Sequence, residues 1–228
     1  IQFIISRINI MNKTFIELGS SNYKESNTRF LLLNNKWNGL IVDGSSVNIN
    51  EIKKSYFYWK YPLEAKEKFI TTANILETIN EFKKDKKFGL LSVDLDGNDY
   101  WILKKILENG YIFDIIICEY NSLLGKKESI SIKYNHNFIR EQNENIINYG
   151  ASIKAFKNLL NNNYKLIYGN QLGNNIFFVN RSFNEISEKS IDNCFNKSLF
   201  DEFSVKRGYK LTYEELIKKL NFNNFIEV

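Results

Sequence analysis

Phe88-Gly-Leu-Leu-Ser-Val-Asp-Leu-Asp-Gly97 decides how this chain folds. Its apolar half is too short for a helix and lacks the polar alternation of a half-exposed strand, so it reads as a strand buried on both faces. It ends on acids and a glycine, where a chain leaving a strand turns. Three further runs have the same form: Thr14-Phe-Ile-Glu-Leu-Gly19, Gly39-Leu-Ile-Val-Asp-Gly44 and Phe113-Asp-Ile-Ile-Ile-Cys-Glu-Tyr-Asn121. In open parallel sheets, ligands bind beyond the carboxyl ends of the strands. Glu17, Asp43, Asp94 and Glu119 are therefore expected along one sheet edge, around a common cavity.

Helical patterns fall between these runs. Asn27-Thr-Arg-Phe-Leu-Leu-Leu-Asn34 reads as a helix capped by Ser26 or Asn27. Ile75, Ile79 and Phe82 share a helical face. Tyr100 to Asn109 predicts a third helix, closed by Gly110 as C-cap. Phe69-Ile-Thr-Thr-Ala73 is expected as the third strand, after a mixed Lys- and Tyr-rich segment at 51–68. Residues 123–148 form a polar stretch longer than ordinary connections, which points to a functional loop or lid. A helix begins near Tyr149, and Tyr164-Lys-Leu-Ile-Tyr168 with Asn175-Ile-Phe-Phe-Val179 reads as a hairpin. Strands alternating with helices give a doubly wound α/β sheet. The domain expected from this spans 1–180. Two amphipathic pieces, 190–203 and 212–220, predict a helical extension over 181–228 with a packing or homodimerising role.

Composition narrows the functional classes. At 228 residues with 43% hydrophobic content, the chain can bury a sizeable core. Net charge is +5, but the lysine pairs are dispersed among acids, with no basic stripe interleaved with aromatics. Nucleic-acid binding gets little support from this. No apolar run approaches the roughly 20 residues of a membrane span, and the opening Ile1-Gln-Phe-Ile-Ile-Ser-Arg7 is too short for a signal-peptide core. Cys118 and Cys194 are too few for a disulfide framework, which suits the cytoplasm. Asn and Lys are used everywhere, so a single Asn is a weak pointer.

The strand-end acids define the candidate chemistry. Asp43 lies about 24 residues beyond Gly19, near the roughly 20 at which a second-strand acid meets a ribose diol. A dinucleotide site needs Gly-x-Gly-x-x-Gly. This chain has Gly19-Ser-Ser-Asn-Tyr-Lys24, and Glu17 would set a charge beside two phosphates. A cationic ligand carrying an ammonium and a sulfonium fits that cradle better. Asp94-Leu-Asp-Gly-Asn-Asp99 is the densest acidic cluster, and such acids need a ligand, a metal or a loop network when buried. On an extended strand Asp94 and Asp96 point to the same side. The cluster admits a methyl-donor pocket wall, a Mg²⁺ site, or the Asp-x-Asp-Gly nucleophile of haloacid-dehalogenase-type phosphatases. It also admits a helix cap by Asn98 or Asp99. Asp-x-Asp as a metal–nucleotide clamp of a glycosyltransferase is a further, short-stringed alternative. Glu119-Tyr-Asn121 ends the neighbouring strand, where a carboxylate can accept a proton from a substrate hydroxyl. His136, the only histidine, lies in the long loop and is an outside candidate.

Together these runs resemble the class I S-adenosylmethionine-dependent methyltransferases, and within them the FkbM-like branch. The resemblance spans about 14–179. It rests on Phe15-Ile-Glu-Leu-Gly19 with Asn27-Thr28, on Trp37-Asn-Gly-Leu-Ile-Val-Asp-Gly44 and on Thr72-Ala-Asn74. It continues through Leu91-Ser-Val-Asp-Leu-Asp-Gly-Asn-Asp-Tyr-Trp101, Glu119-Tyr-Asn121, Tyr149-Gly-Ala-Ser152 and Gly173-Asn-Asn-Ile-Phe-Phe-Val179. It implies a seven-stranded Rossmann-like sheet whose last strand is antiparallel. It also implies Glu17, Gly19 and Ser20 near the methionine part of the donor, Asp43 and Gly44 at the ribose, and Ala73 and Asn74 near adenine. Asp94 and Asp96 would face the donated methyl. Ser20-Ser21 departs from the second glycine many relatives carry.

The function expected is therefore methyl transfer from S-adenosylmethionine to a hydroxyl of a sugar or other small metabolite. Asp96 or Glu119 would serve as base, with His136 as an outside alternative and Asn98 and Asn121 as positioners. No metal ligands are assigned; Mg²⁺ is an option that nothing else in the sequence supports. The alternatives are a Mg²⁺-dependent phosphohydrolase built on Asp94-x-Asp96, or a donor-binding module without catalysis.

Overall fold

The computed structural model describes residues 1–140, 146–198 and 211–228. The elements run α1 (Gln2–Arg7), β1 (Thr14–Leu18), α2 (Arg29–Leu33), β2 (Asn38–Asp43), α3 (Ser46–Lys54), α4 (Tyr56–Lys60), β3 (Leu63–Glu67), α5 (Ile75–Phe82) and β4 (Lys87–Val93). They continue with α6 (Asp99–Glu108), β5 (Ile112–Glu119), β6 (Ile130–Ile132), α7 (Ile153–Leu160), β7 (Tyr164–Gly169), β8 (Asn175–Asn180), α8 (Ile191–Cys194), α9 (Tyr213–Ile217) and β9 (Phe225–Glu227). Seven strands form one sheet in the order β3-β2-β1-β4-β5-β8-β7. The β3–β2, β2–β1 and β1–β4 pairs are parallel, and the closing β7–β8 pair is antiparallel. This is the expected α/β sheet with an antiparallel last strand.

Two compact units divide the chain. The first comprises Ile1–Leu95, Trp101–Ile117 and Ser182–Ile186, and the second Asp96–Tyr100, Cys118–Arg181 and Ser187–Val228. In the first, β1 is buried along its whole length, and Leu40, Ile41, Leu90 and Leu91 are fully buried beside it. Each such side chain contributes about 1.5–3 kcal/mol by leaving water. Helix α5 presents Ile75 and Ile79 to this core, and Phe82 stacks on Phe88.

The third strand is not where its sequence pattern put it. Leu63–Glu67 pairs with β2, while residues 69–73 form the turn leading into α5. An edge strand needs only one buried face, so Leu63 and Ala65 suffice between exposed or half-exposed neighbours. The Lys- and Tyr-rich segment before it holds α3 and α4, and Trp59 is exposed.

In the second unit, residues 123–148 do more than span a gap. They carry β6, which pairs antiparallel with β9 of the C-terminal segment. Leu123, Leu124, Ile132 and Ile147 bury a small core with Leu211, Leu216, Leu220 and Phe225. The segment after 181 is therefore partly helical, with α8 and α9 shorter than their sequence patterns, and it ends in a strand. Residues 199–203 of the first amphipathic piece fall outside the described residues. Ser187–Val228 groups with Cys118–Arg181, and Ser182–Ile186 with the first unit.

Candidate functional site

The candidate residues fall into two groups, one in each unit. In the first unit, β1 delivers the chain to Gly19, which has φ +80°. A side chain there would run into the Asp94 carbonyl oxygen, 1.5 Å from an ideal Cβ, so only glycine lets the two strand-end loops meet. The following loop turns through left-handed backbone at Ser21 (φ 47°) and Tyr23 (φ 62°), and Ser20 is buried. Asp43, at the end of β2, holds this loop. Its Oδ2 accepts the Ser21 N–H at 2.8 Å, and its Oδ1 accepts the Ser45 N–H at 2.9 Å and the Asn48 amide at 3.0 Å. A carboxylate has about four acceptor sites, so Oδ2 keeps room for one more donor.

Glu17 is arranged differently. Its carboxylate is buried and accepts from the Ser26 hydroxyl (2.6 Å), the Asn27 N–H (3.0 Å), the Thr28 N–H (3.3 Å) and the Thr28 hydroxyl. Burial pushes its carboxyl above the usual range, and the bonds from Ser26, Thr28 and Asn27 only partly offset that. Three of these donors reach Oε2 and one reaches Oε1, so Glu17 is turned mainly toward its own loop and shapes the entry to α2. Ser26 also accepts the Thr28 and Arg29 N–H groups, bracing the turn before α2, whose N-cap is Thr28 rather than the expected Ser26 or Asn27 and makes no side-chain cap bond.

Asn74 ties its own loop, accepting the Thr71 N–H and donating to the Phe69 carbonyl, both at 2.9 Å, while Ala73 is exposed. Phe69, expected inside a strand, is instead a half-exposed loop residue whose ring lies 3.5 Å from the position a Cβ would take on Gly44. Sequence reasoning missed it as a site residue, because its apolar run hid it among core positions.

Strand β4 ends at Val93, so Asp94 to Asn98 is loop. The Asp94 N–H still bonds the Leu18 carbonyl at 2.9 Å. Asp96 has φ +57°, and this turn breaks the extended alternation that would put it on the same side as Asp94. In the second unit, Asp96 is held by Arg140 at 2.6 Å. Carboxylate oxygens of Asp96 and Glu119 approach within 4.8 Å of one another. Arg140 stacks 3.8 Å above the Tyr149 ring and donates to the Ile146 carbonyl. Burial would lower its pKa, but Tyr149, Glu119 and Asp96 outweigh that and raise it, so the guanidinium stays charged.

Neither asparagine expected to position a substrate is free to do so. The buried Asn121 side chain donates to the Ile147 and Tyr149 carbonyls (2.8 and 3.0 Å) and accepts the Leu123 N–H. Asn98 bonds both the carbonyl and the N–H of Asn135, at 2.8 and 3.4 Å. The loop before α6 is further braced by the Gly97 N–H, which donates to Asp99. His136 is exposed.

Two cavities are lined elsewhere. One of about 300 Å³ in the first unit is bordered by Lys24, Arg29, Glu51 and Lys54. A larger one of about 1070 Å³ in the second unit lies among residues 132–140, Asn148, Asn223 and Asn224. Neither is lined by Glu17, Asp43, Asp94 or Glu119.

No family model matches the chain, and no curated protein does. Among solved structures it is similar to the N-terminal domain of EvdMO1, crystallised with SAH and D-fucose, at 13% identity and a TM-score of 0.49 over 79% of this chain and 80% of that one. The methyltransferase domain of bacterial CtHen1-C gives 12% identity and a TM-score of 0.46 over 78% and 93%. TrmK of M. capricolum, in complex with SAH, gives 12% and 0.44 over 90% and 79%.

Proposed function

We propose that this chain is an S-adenosylmethionine-dependent methyltransferase acting on a hydroxyl oxygen of a sugar or other small hydroxyl-bearing metabolite. The observation that carries the reading is Asp43. It stands at the end of the second strand, grips the loop after the first, and keeps an acceptor site for a ribose hydroxyl. The run from Leu91 to Trp101 and the seven-strand order support the same reading.

When bound, the donor supplies a methyl made electrophilic by a sulfonium. Gly19, through its close approach to Asp94, and Ser21, through its bond to Asp43, fix the backbone that would line the donor. Phe69 offers a half-exposed ring face beside Gly44, suited to stacking a purine. The Glu17 carboxylate keeps that entry loop rigid. In the second unit, the buried Glu119 carboxylate would take the acceptor's proton. Arg140 keeps Asp96 and Glu119 in a compensated field.

Calorimetry with S-adenosylhomocysteine tests the donor half. Asp43→Asn is expected to weaken binding by about 10- to 100-fold, the loss of one to two charge-assisted hydrogen bonds. Glu119→Gln is expected to bind like the wild type and to lose methyl transfer by about 10²-fold or more, measured with radiolabelled donor. Wild-type affinity in Asp43→Asn would sink the donor site.

A further inference from the structure

We propose that the larger cavity of the second unit is a binding site for a neutral oligosaccharide. It rests on the methyl-transfer reading only in taking that glycan as the methyl acceptor. The cavity's volume, about 1070 Å³, lies just above the roughly 300–1,000 Å³ typical of clefts for single small ligands. It has space for more than one sugar ring.

Its wall chemistry selects the ligand class. Asn135, Asn137, Asn148, Asn223 and Asn224 line it, and among the described residues no carboxylate does. Each amide carries two donors and an acceptor in one plane, which matches hydroxyls that both give and accept hydrogen bonds. Of the two lining cations among the described residues, Arg140 is committed to Asp96, which leaves Lys133. That is too little positive charge to neutralise a polyphosphate. Phe138 and Tyr134 supply apolar faces for the C–H side of a pyranose.

Asn148 points to an absent partner. Only 6% of it is exposed, its Oδ1 accepts the Asn221 N–H at 2.8 Å, and its Nδ2 meets no acceptor among the described residues. A buried donor left unpaired costs about 1–3 kcal/mol, and because Nδ2 is itself closed to water, a ligand hydroxyl would relieve that cost only as the Asn148 amide turns toward the cavity.

The walls are also prebuilt, which lowers the ordering cost of binding. Asn98 clamps both backbone groups of Asn135. Gly97 lacks the Cβ that would strike the Phe138 ring at 2.2 Å. The Lys133 N–H bonds the Asn224 carbonyl at 2.9 Å, joining the two sides. Through Asp96 and Arg140, the wall is continuous with the carboxylates assigned to proton transfer.

The test is a printed array of neutral and acidic glycans probed with the full chain, followed by saturation-transfer NMR on the best binder. Neutral oligosaccharides of two or more rings are expected to bind, and Asn137→Ala and Asn224→Ala to weaken the best binder at least 10-fold while unfolding at the wild-type temperature. Because Asn148→Ala also frees the Asn221 N–H, it is read only alongside those two. An array with no neutral binder overturns the proposal. So does binding unaltered in both variants, or preference for acidic glycans. S-adenosylhomocysteine calorimetry on the wild type separates the two readings. Glycan binding without donor binding leaves the cavity standing and removes the methyltransferase, and the converse removes the cavity alone.

Discussion

Asp114, in the middle of β5, carries a carboxyl that burial alone pushes up to about 6. A folded-state pKa above the unfolded value means that stability is fullest below about 3.8 and is lost as pH rises through about 6. Asp114→Asn is therefore expected to melt above the wild type at pH 8 and level with it at pH 4. The gap should be about 1 kcal/mol once the water-facing half of the side chain is discounted. Calorimetry at the two pH values reads it, and a pH-independent gap would contradict the burial. At this scale the sequence showed which acids end strands but not how they are spent. Asp43 keeps an acceptor site beside the loop after β1, whereas Glu17 is turned toward Ser26–Thr28 and Asn121 is consumed by Ile147, Tyr149 and Leu123. Those partners lie on loops with no periodicity, so no pattern announces the contacts. Ser21 shows the same gap. Its left-handed backbone marks the place where a glycine would be easier, and the bond to Asp43 holds it there.

Strands buried on both faces were readable because their apolar runs admit few other interpretations. The parallel strands β1, β2 and β4 and the β7–β8 hairpin lie within a residue or two of their sequence bounds. Strand β3 was misplaced because Phe69-Ile-Thr-Thr-Ala73 is more apolar than Leu63-Glu-Ala-Lys-Glu67. The usable signal was alternation following Pro62, a residue suited to a strand start. Strands β6 and β9 were invisible, since three residues each make no pattern and their pairing joins Ile132 to Phe225 across the sequence. That pairing is expected to be held by Phe225, packed among Leu123, Ile147 and Leu216. Phe225→Ala should cost about 3–5 kcal/mol in the second unit. Hydrogen exchange should then quicken at the Lys133 and Val228 amides, which bond the Asn224 and Ser129 carbonyls across the pair, while those of β1 stay protected. Equal protection in the variant would show that β6 stands without its partner.

Over the whole molecule, the sheet was legible and the site only in outline, because the sheet is written in apolar runs and the site in tertiary contacts. The two compact units also interleave along the chain, which no composition shift signals. A fragment of residues 1–180 is therefore expected to lack a sound second unit, since Leu211, Leu216, Leu220 and Phe225 fill the core beneath residues 123–147. Near-UV circular dichroism and urea unfolding should show reduced tertiary signal and a broadened transition, and a sharp two-state transition would refute this. The β6–β9 pairing has a temporal consequence too. During synthesis, Ile130–Ile132 leave the ribosome long before Phe225–Glu227 arrive to pair with them. The nascent polypeptide must hold an unfinished edge throughout that delay, so the cavity wall beside β6 is among the last parts to mature.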